Sequence, residues 1–308
     1  MAVPPSASRL EMNYTIAQES RIGGRKINQD RVASVATEDA VLMIVADGMG
    51  GHLHGEVAAQ IAIDTATGRF RSEAKTRLAD VATFLAATLQ QAHEAIVRYT
   101  TERRIPPHAA PRTTCIACVV QDGQARWAHA GDSRLYLIHR QPEGPARVGR
   151  TRDHSVVQRM IDVGSLSHAE AATHPLRNRV FSCLGGDEAP RIELSSAIPL
   201  QDDDVIALCS DGAWSPLGDK LATELGRAPL TRSVPHVLDA AERAAGPGAD
   251  NLTLIAMRWE APPAVVETPS DASFCDTYIG QAPLSDGEIE RAIAELRRRP
   301  SNSNGTLS

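Results

Sequence analysis

No run in the 308 residues approaches the ~20 consecutive apolar residues a membrane-spanning helix needs. Positive charge is outnumbered, 32 Lys and Arg against 38 Asp and Glu. The net charge is −6 and no basic patch interrupts the first 260 residues, which argues against non-specific binding to nucleic acid or anionic membranes. The five cysteines, Cys115, Cys118, Cys183, Cys209 and Cys275, are odd in number and lack the spacing of a disulfide framework, which fits a reducing compartment. Cys115 and Cys118 form a C-x-x-C, but inside a β-like run (113–121) where positions three apart face opposite sides of a sheet. They read as buried thiols. Nor does Met1-Ala-Val-Pro-Pro-Ser-Ala-Ser8 contain an apolar core of signal-peptide length, so a cytoplasmic protein is expected.

A hydrophobic content of 42% suits a sizeable core. Residues 1–13 are rich in Pro and Ser and read as a flexible N-terminus. From 14 to 260, β-type and helical stretches alternate without a linker, giving one large domain. Residues 261–284 read as a Pro-rich linker, 285–299 as a short capped amphipathic helix carrying Ile289, Ile293 and Leu296, and 300–308 as a disordered tail. That helix is marginal alone and needs a surface, either a partner or its own domain. Runs 40–46, 205–210 and 252–257 are apolar at nearly every position, so both of their faces must be covered. Residues 76–103 carry Leu78, Val81, Leu85, Leu89, Ala92, Ile96 and Tyr99 at helical spacing. A shorter helix after Gly55 puts Val57, Ala58, Ile61, Ala62 and Thr65 on one face. Asp122-Gly123 signals a type I′ hairpin. The pattern predicts an α+β protein of antiparallel sheets with helices packed outside.

The chemistry lies in where aspartates stand relative to the strands. Asp47 and Asp211 each follow an apolar run and precede a glycine, while Asp30 and Asp250 stand just before strands. Antiparallel pairing of 31–37 with 40–46 would make Asp30 and Asp47 neighbours, and pairing of 205–210 with 252–257 would do the same for Asp211 and Asp250. Four carboxylates gathered so would repel by several kcal/mol at ~4 Å unless cations neutralised them. Oxygen-only ligands select hard ions such as Mg²⁺ or Mn²⁺. Gly48 and Gly212 would let the backbone turn and approach an ion. A lone Asp-Gly pair after a strand is usually a turn; two such pairs with further aspartates before strands point to a site.

These residues resemble the type 2C, metal-dependent (PPM family) serine/threonine protein phosphatases of bacterial type. The resemblance runs through Gly23-Gly-Arg-Lys-Ile-Asn-Gln-Asp30, Val45-Ala-Asp-Gly-Met-Gly-Gly-His52, Ala130-Gly-Asp-Ser-Arg134, Thr151-Arg-Asp-His-Ser155, a flap-like stretch ending in His174-Pro-Leu-Arg-Asn178, Leu208-Cys-Ser-Asp-Gly212 and Asp250-Asn251. It implies a four-layer αββα sandwich, two antiparallel sheets flanked by helices. It also implies hydrolysis of phosphoserine or phosphothreonine by direct attack of a water bridging two Mn²⁺ or Mg²⁺ ions. Asp47 would bridge the ions, with the Gly48 carbonyl on one and Asp211 and Asp250 on the other. Asp30 would hold their waters, and Arg25 would grip the substrate phosphate, a task suited to a bidentate donor. Asp132 matches an aspartate that helps hold a third, weaker ion, or else it stabilises its own turn. The partners implied are a serine/threonine kinase and its phosphorylated targets.

Met49 departs from relatives that carry a proton-donating histidine there; His52 and His54 lie close by but read as loop or helix-capping residues. Gly48-Met-Gly-Gly lacks the Gly-Lys-Ser/Thr ending of a nucleotide loop. Asp202-Asp-Asp204 precedes its strand and reads as a solvated turn. Loss of catalysis in a binding-only relative would show as a missing ligand, whereas Asp47, Asp211, Asp250 and Arg25 are all in place.

Overall fold

Residues 40–46 are each fully buried, and successive side chains enter two different cores. That alternation organises the molecule. The computed structural model describes residues 12–49, 55–141, 146–260 and 276–279. The chain runs β1 (Asn13–Arg21), β2 (Asp30–Ala36), β3 (Ala40–Met49), α1 (Gly55–Glu73) and α2 (Val81–Glu102). Next come β4 (Arg112–Thr113), β5 (Cys115–Gln121), β6 (Gln124–Ala130), β7 (Arg134–His139) and β8 (Arg147–Arg150). There follow α3 (Val156–Asp162), α4 (His168–Ala171), β9 (Ile192–Ser195), β10 (Ile198–Pro199), β11 (Val205–Cys209), α5 (Asp211–Trp214), α6 (Lys220–Leu225) and α7 (Leu230–Ala245). The last elements are β12 (Leu252–Glu260) and β13 (Asp276–Ile279).

All strand pairings are antiparallel. One sheet has the order β1-β12-β11-β7-β8; the other has β13-β9-β6-β5-β3-β2, with β10 on β6 and β4 on β3. Leu42 and Ile44 face α1 and α2, whereas Met43 and Val45 meet Leu135, Leu208, Ile255 and Met257 between the sheets. Beyond the first sheet, Ala207, Leu254 and Ala256 pack on Val234, Val237 and Leu238 of α7. Helix, sheet, sheet and helix make the four layers expected.

Cys115 and Cys118 enter different cores, and burial pushes the Cys115 thiol up to about 12. Asp122 and Gly123 have φ of 54° and 68°, as a type I′ turn requires, and Gln121 faces Gln124 across it. The second helix begins at Val81 rather than at 76, because the Asp80 carboxylate accepts from the N–H groups of Ala82 and Thr83 and caps it. Leu78 sits before the cap, its backbone bonded to the Gln121 amide. In α1 the buried stripe is Ala58, Ala59, Ala62, Ile63, Ala66, Thr67 and Phe70, turned from the face expected. Val57, Ile61 and Thr65 are half-buried at its margin, since a stripe rich in alanine lets the helix lie closer to the sheet. The turn at 202–204 is not simply solvated: Asp204 is fully buried, 2.9 Å from His139 Nδ1, and Asp203 pairs with Arg140 and Arg258. Residues 276–279, inside the stretch read as a linker, pair with β9; residues 285–299 lie outside the described residues.

Candidate metal centre

β2 and β3 pair with Asp30 directly opposite Asp47. β11 pairs with β12 so that Cys209 faces Leu254, which sets Asp211 and Asp250 at the same end of that ladder. The two pairs belong to different sheets and meet across the sandwich edge, where the Ser210 hydroxyl donates to Asp30 Oδ2 at 2.6 Å. Asp47 lies close enough to Asp30 and Asp211 for their charges to repel. β3 runs on past Asp47 to Met49 through its pairing with β4, so Gly48 makes no turn there. Its role is close approach: a Cβ on Gly48 would stand 2.3 Å from the Gly55 carbonyl oxygen, and one on Gly212 would stand 2.1 Å from that of Asn251.

Asp30 and Asp132 are buried, while Asp47 and Asp211 are half-buried. Burial first, then mutual repulsion, raises their proton affinities. The Asp211 carboxyl moves up to about 7, with Asp250 and Asp30 as its repelling neighbours. Asp30 rises to about 6 against the opposing hydrogen bond from Ser210. Asp47 is pushed well above the carboxylate range by burial and by Asp30, Asp211, Asp132 and Asp250. Asp132 is raised likewise by burial and Asp211. Asp30 Oδ1 is buried without a hydrogen-bond partner. Concentrated, desolvated negative charge with an unsatisfied oxygen fits divalent cations and an all-oxygen ligand set.

Arg25 sits on the 22–29 loop, half-exposed, with Nη2 2.5 Å from Asp250 Oδ2. Asn251 builds that loop: its Nδ2 donates to the carbonyls of Ile22 and Ile27, and its Oδ1 accepts from Gln29 N–H. In the sequence Asn251 stands out only as part of a motif, and its place beside a metal-ligand candidate is the available signal. Three other contributors carry no signal in the sequence. Thr113 and Thr114 both donate to the Asp47 carbonyl, and the Trp214 indole N–H donates to the Asp132 carbonyl at 3.0 Å. Arg134 stacks 3.3 Å over the Trp214 ring and makes paired 2.8 Å bonds to Asp153. No sequence spacing announces contacts across 80 residues. Met49 is half-buried beside the site; His52 and His54 lie outside the described residues.

A second group adjoins the Asp132 turn. Among the described residues, His129, His154 and Glu193 bring three ligand atoms within 4.8 Å of one another, close enough to hold a metal ion.

A sequence model described as Protein phosphatase 2C matches residues 17–251. The chain is 28% identical over 215 residues to the serine/threonine phosphatase stp of Listeria innocua, covering 70% of this chain and 82% of that one. The crystal structure of the Mycobacterium tuberculosis serine/threonine phosphatase PstP/Ppp superposes with a TM-score of 0.67 at 29% identity, covering 80% of this chain and 99% of the other. A structure of the PstP catalytic domain in complex with two manganese ions gives a TM-score of 0.66 at 27% identity, over 80% and 98% of the two chains.

Proposed function

The chain belongs to the protein phosphatase 2C family and is a serine/threonine phosphatase, and from that premise we propose a division of labour among its residues. The carrying observation is the convergence of Asp30 and Asp47 from one sheet with Asp211 and Asp250 from the other. Asp47, the Gly48 carbonyl, Asp211 and Asp250 would hold two divalent cations, Mn²⁺ or Mg²⁺, while Asp30 would order water around them and Asp132 would serve a third, weaker ion. Two manganese ions in the PstP catalytic domain support that reading. Bound cations supply Lewis-acid chemistry, acidifying the attacking water and offsetting charge on the phosphoryl oxygens. Attack is direct, without a phosphoenzyme. Cys209 is fully buried with its thiol pushed up to about 12, which suits a strand residue and not a nucleophile. Arg25, carried at the rim by the loop that Asn251 organises, binds the substrate phosphate. Met49 leaves protonation of the departing alkoxide to water or another group. Residues 14–260 form the catalytic unit, acting on targets of a serine/threonine kinase. No helix among the described residues is long and apolar enough to cross a membrane.

Hydrolysis of p-nitrophenyl phosphate tests the assignment. Activity should require added Mn²⁺ or Mg²⁺, vanish in excess EDTA and survive iodoacetamide; full turnover in EDTA would sink it. Arg25→Ala should raise KM for a phosphopeptide at least about tenfold, the value of a charge-assisted hydrogen bond, with a smaller fall in kcat. An unchanged KM would remove Arg25 from the phosphate site.

A further inference from the structure

Within the His129, His154 and Glu193 group, the hydrogen bonds of His154 give that ring a different task from holding an ion. His154 Nδ1 lies 3.2 Å from Gly131 N and accepts its N–H, so a neutral ring carries its proton on Nε2. That nitrogen is 3.0 Å from Glu193 Oε1. His129 Nε2 lies 2.9 Å from the Arg152 carbonyl, which can only accept, so it carries a proton as well. The two rings stack with centroids 4.6 Å apart and planes at 24°, and Arg191 Nη2 adds a 2.9 Å contact to Glu193. A ligating histidine turns a bare nitrogen to the metal and donates from the other. His154 shows the reverse.

What His154 holds is the Asp132 turn. It grips Gly131 at both polar atoms, accepting the glycine N–H on its ring and donating its own backbone N–H to the glycine carbonyl at 2.9 Å. Gly131 has φ of 116°, and a Cβ there would stand 2.5 Å from Thr114 Cβ, so the turn is closely confined. His154 also ties in the 151–181 segment. Its carbonyl accepts from Phe181 N–H at 2.8 Å, and its ring stacks on Phe181 with centroids 5.6 Å apart.

We propose that Glu193, acting through the His154 ring, is a positioning residue for Asp132, and that this contact couples the 151–181 segment to the metal site. The proposal rests on Asp132 belonging to that site. It predicts that damage at His154 is felt through Asp132 and nowhere else in the chemistry.

The test is a Mn²⁺ titration of p-nitrophenyl phosphate hydrolysis by the full chain carrying His154→Leu, His154→Asn or Glu193→Gln, each alone and combined with Asp132→Asn. His154→Leu and Glu193→Gln should raise the half-saturating Mn²⁺ concentration by roughly fivefold, a typical coupling between contacting residues. His154→Asn, whose amide oxygen can replace Nδ1 as acceptor for Gly131 N–H, should recover most of that difference. In the Asp132→Asn background, His154→Leu should add nothing. Independent, multiplying effects of the two substitutions would overturn the coupling, as would equal impairment by Asn and Leu at 154. If Asp132→Asn alone leaves the Mn²⁺ response unchanged, Asp132 leaves the metal site and the proposal falls with it. Circular dichroism checks folding; should His154→Leu unfold, Glu193→Gln and His154→Asn carry the comparison. Elemental analysis finding an ion that survives Asp211→Asn but is lost in His154→Asn would overturn the proposal in favour of a histidine-ligated metal.

Discussion

Replacing Asp211 or Asp250 by asparagine should cut turnover of p-nitrophenyl phosphate by about a thousandfold or more, since several kcal/mol of charge stabilisation at the phosphoryl group depends on cation binding. The fold should survive. Both residues stand at the ends of β11 and β12, and the ladder between those strands runs from Val205–Arg258 to Cys209–Leu254 without using either side chain. Asparagine keeps the shape of aspartate and removes the charge that Asp30 and Asp47 resist. Stopped-time assays at saturating Mn²⁺, with circular dichroism on the same samples, separate the two effects. A loss of less than tenfold at either position would place the ions elsewhere.

The metal-stripped protein should lose stability as pH rises, against the usual acid sensitivity of a domain with this charge. Asp211 and Asp30 have folded-state values of about 7 and about 6, above the 3.8 of a free aspartate. Between the free and folded values the native state binds more protons than the unfolded chain, so stability falls with increasing pH across that window. Asp47 and Asp132, raised in the same direction, extend the effect upward. Partial exposure of Asp47 and Asp211 lets solvent screen some of the repulsion. The melting temperature in EDTA should therefore be lower at pH 8 than at pH 5.5, by roughly 2–4 °C for each kcal/mol of repulsion. Saturating Mn²⁺ at pH 8 should restore it, because a ligand bound only to the native state stabilises that state. A melting temperature in EDTA that rises from pH 5.5 to 8 would mean the carboxylates do not crowd one another.

Much of this was readable in the sequence because the informative signals were local. The apolar runs at 40–46 and 205–210, the Asp-Gly pairs after them and the hairpin turn at Asp122-Gly123 each fix geometry within a few residues. The Asp30–Asp47 register follows from one short hairpin. What escaped depends on long-range packing. In α1 the expected Ala58 and Ala62 are buried, but the face turns toward Ala59, Ile63 and Ala66 because a stripe of alanines outcompetes the larger Val57 and Ile61 for contact with the sheet. The local sequence makes Asp204 look solvated because nothing nearby reveals that His139, 65 residues earlier, lies against it. The supports of the site, Ser210 on Asp30 and Trp214 on the Asp132 backbone, are single contacts between elements and leave no periodic trace.

The candidate ligands are divided between the two sheets, Asp30 and Asp47 on one and Asp211 and Asp250 on the other, with Leu135, Leu208, Ile255 and Met257 among the side chains filling the space between. The edge therefore behaves as the open jaw of a caliper whose hinge is that inter-sheet filling. An ion gripping both jaws fixes the gap, and the thickness of the filling decides in advance how well the gap suits the ion. Interiors this closely packed transmit small changes of volume over distance. Ion affinity and inter-sheet packing should therefore vary together, so that volume changes in the middle layer would alter cation binding without altering a single aspartate.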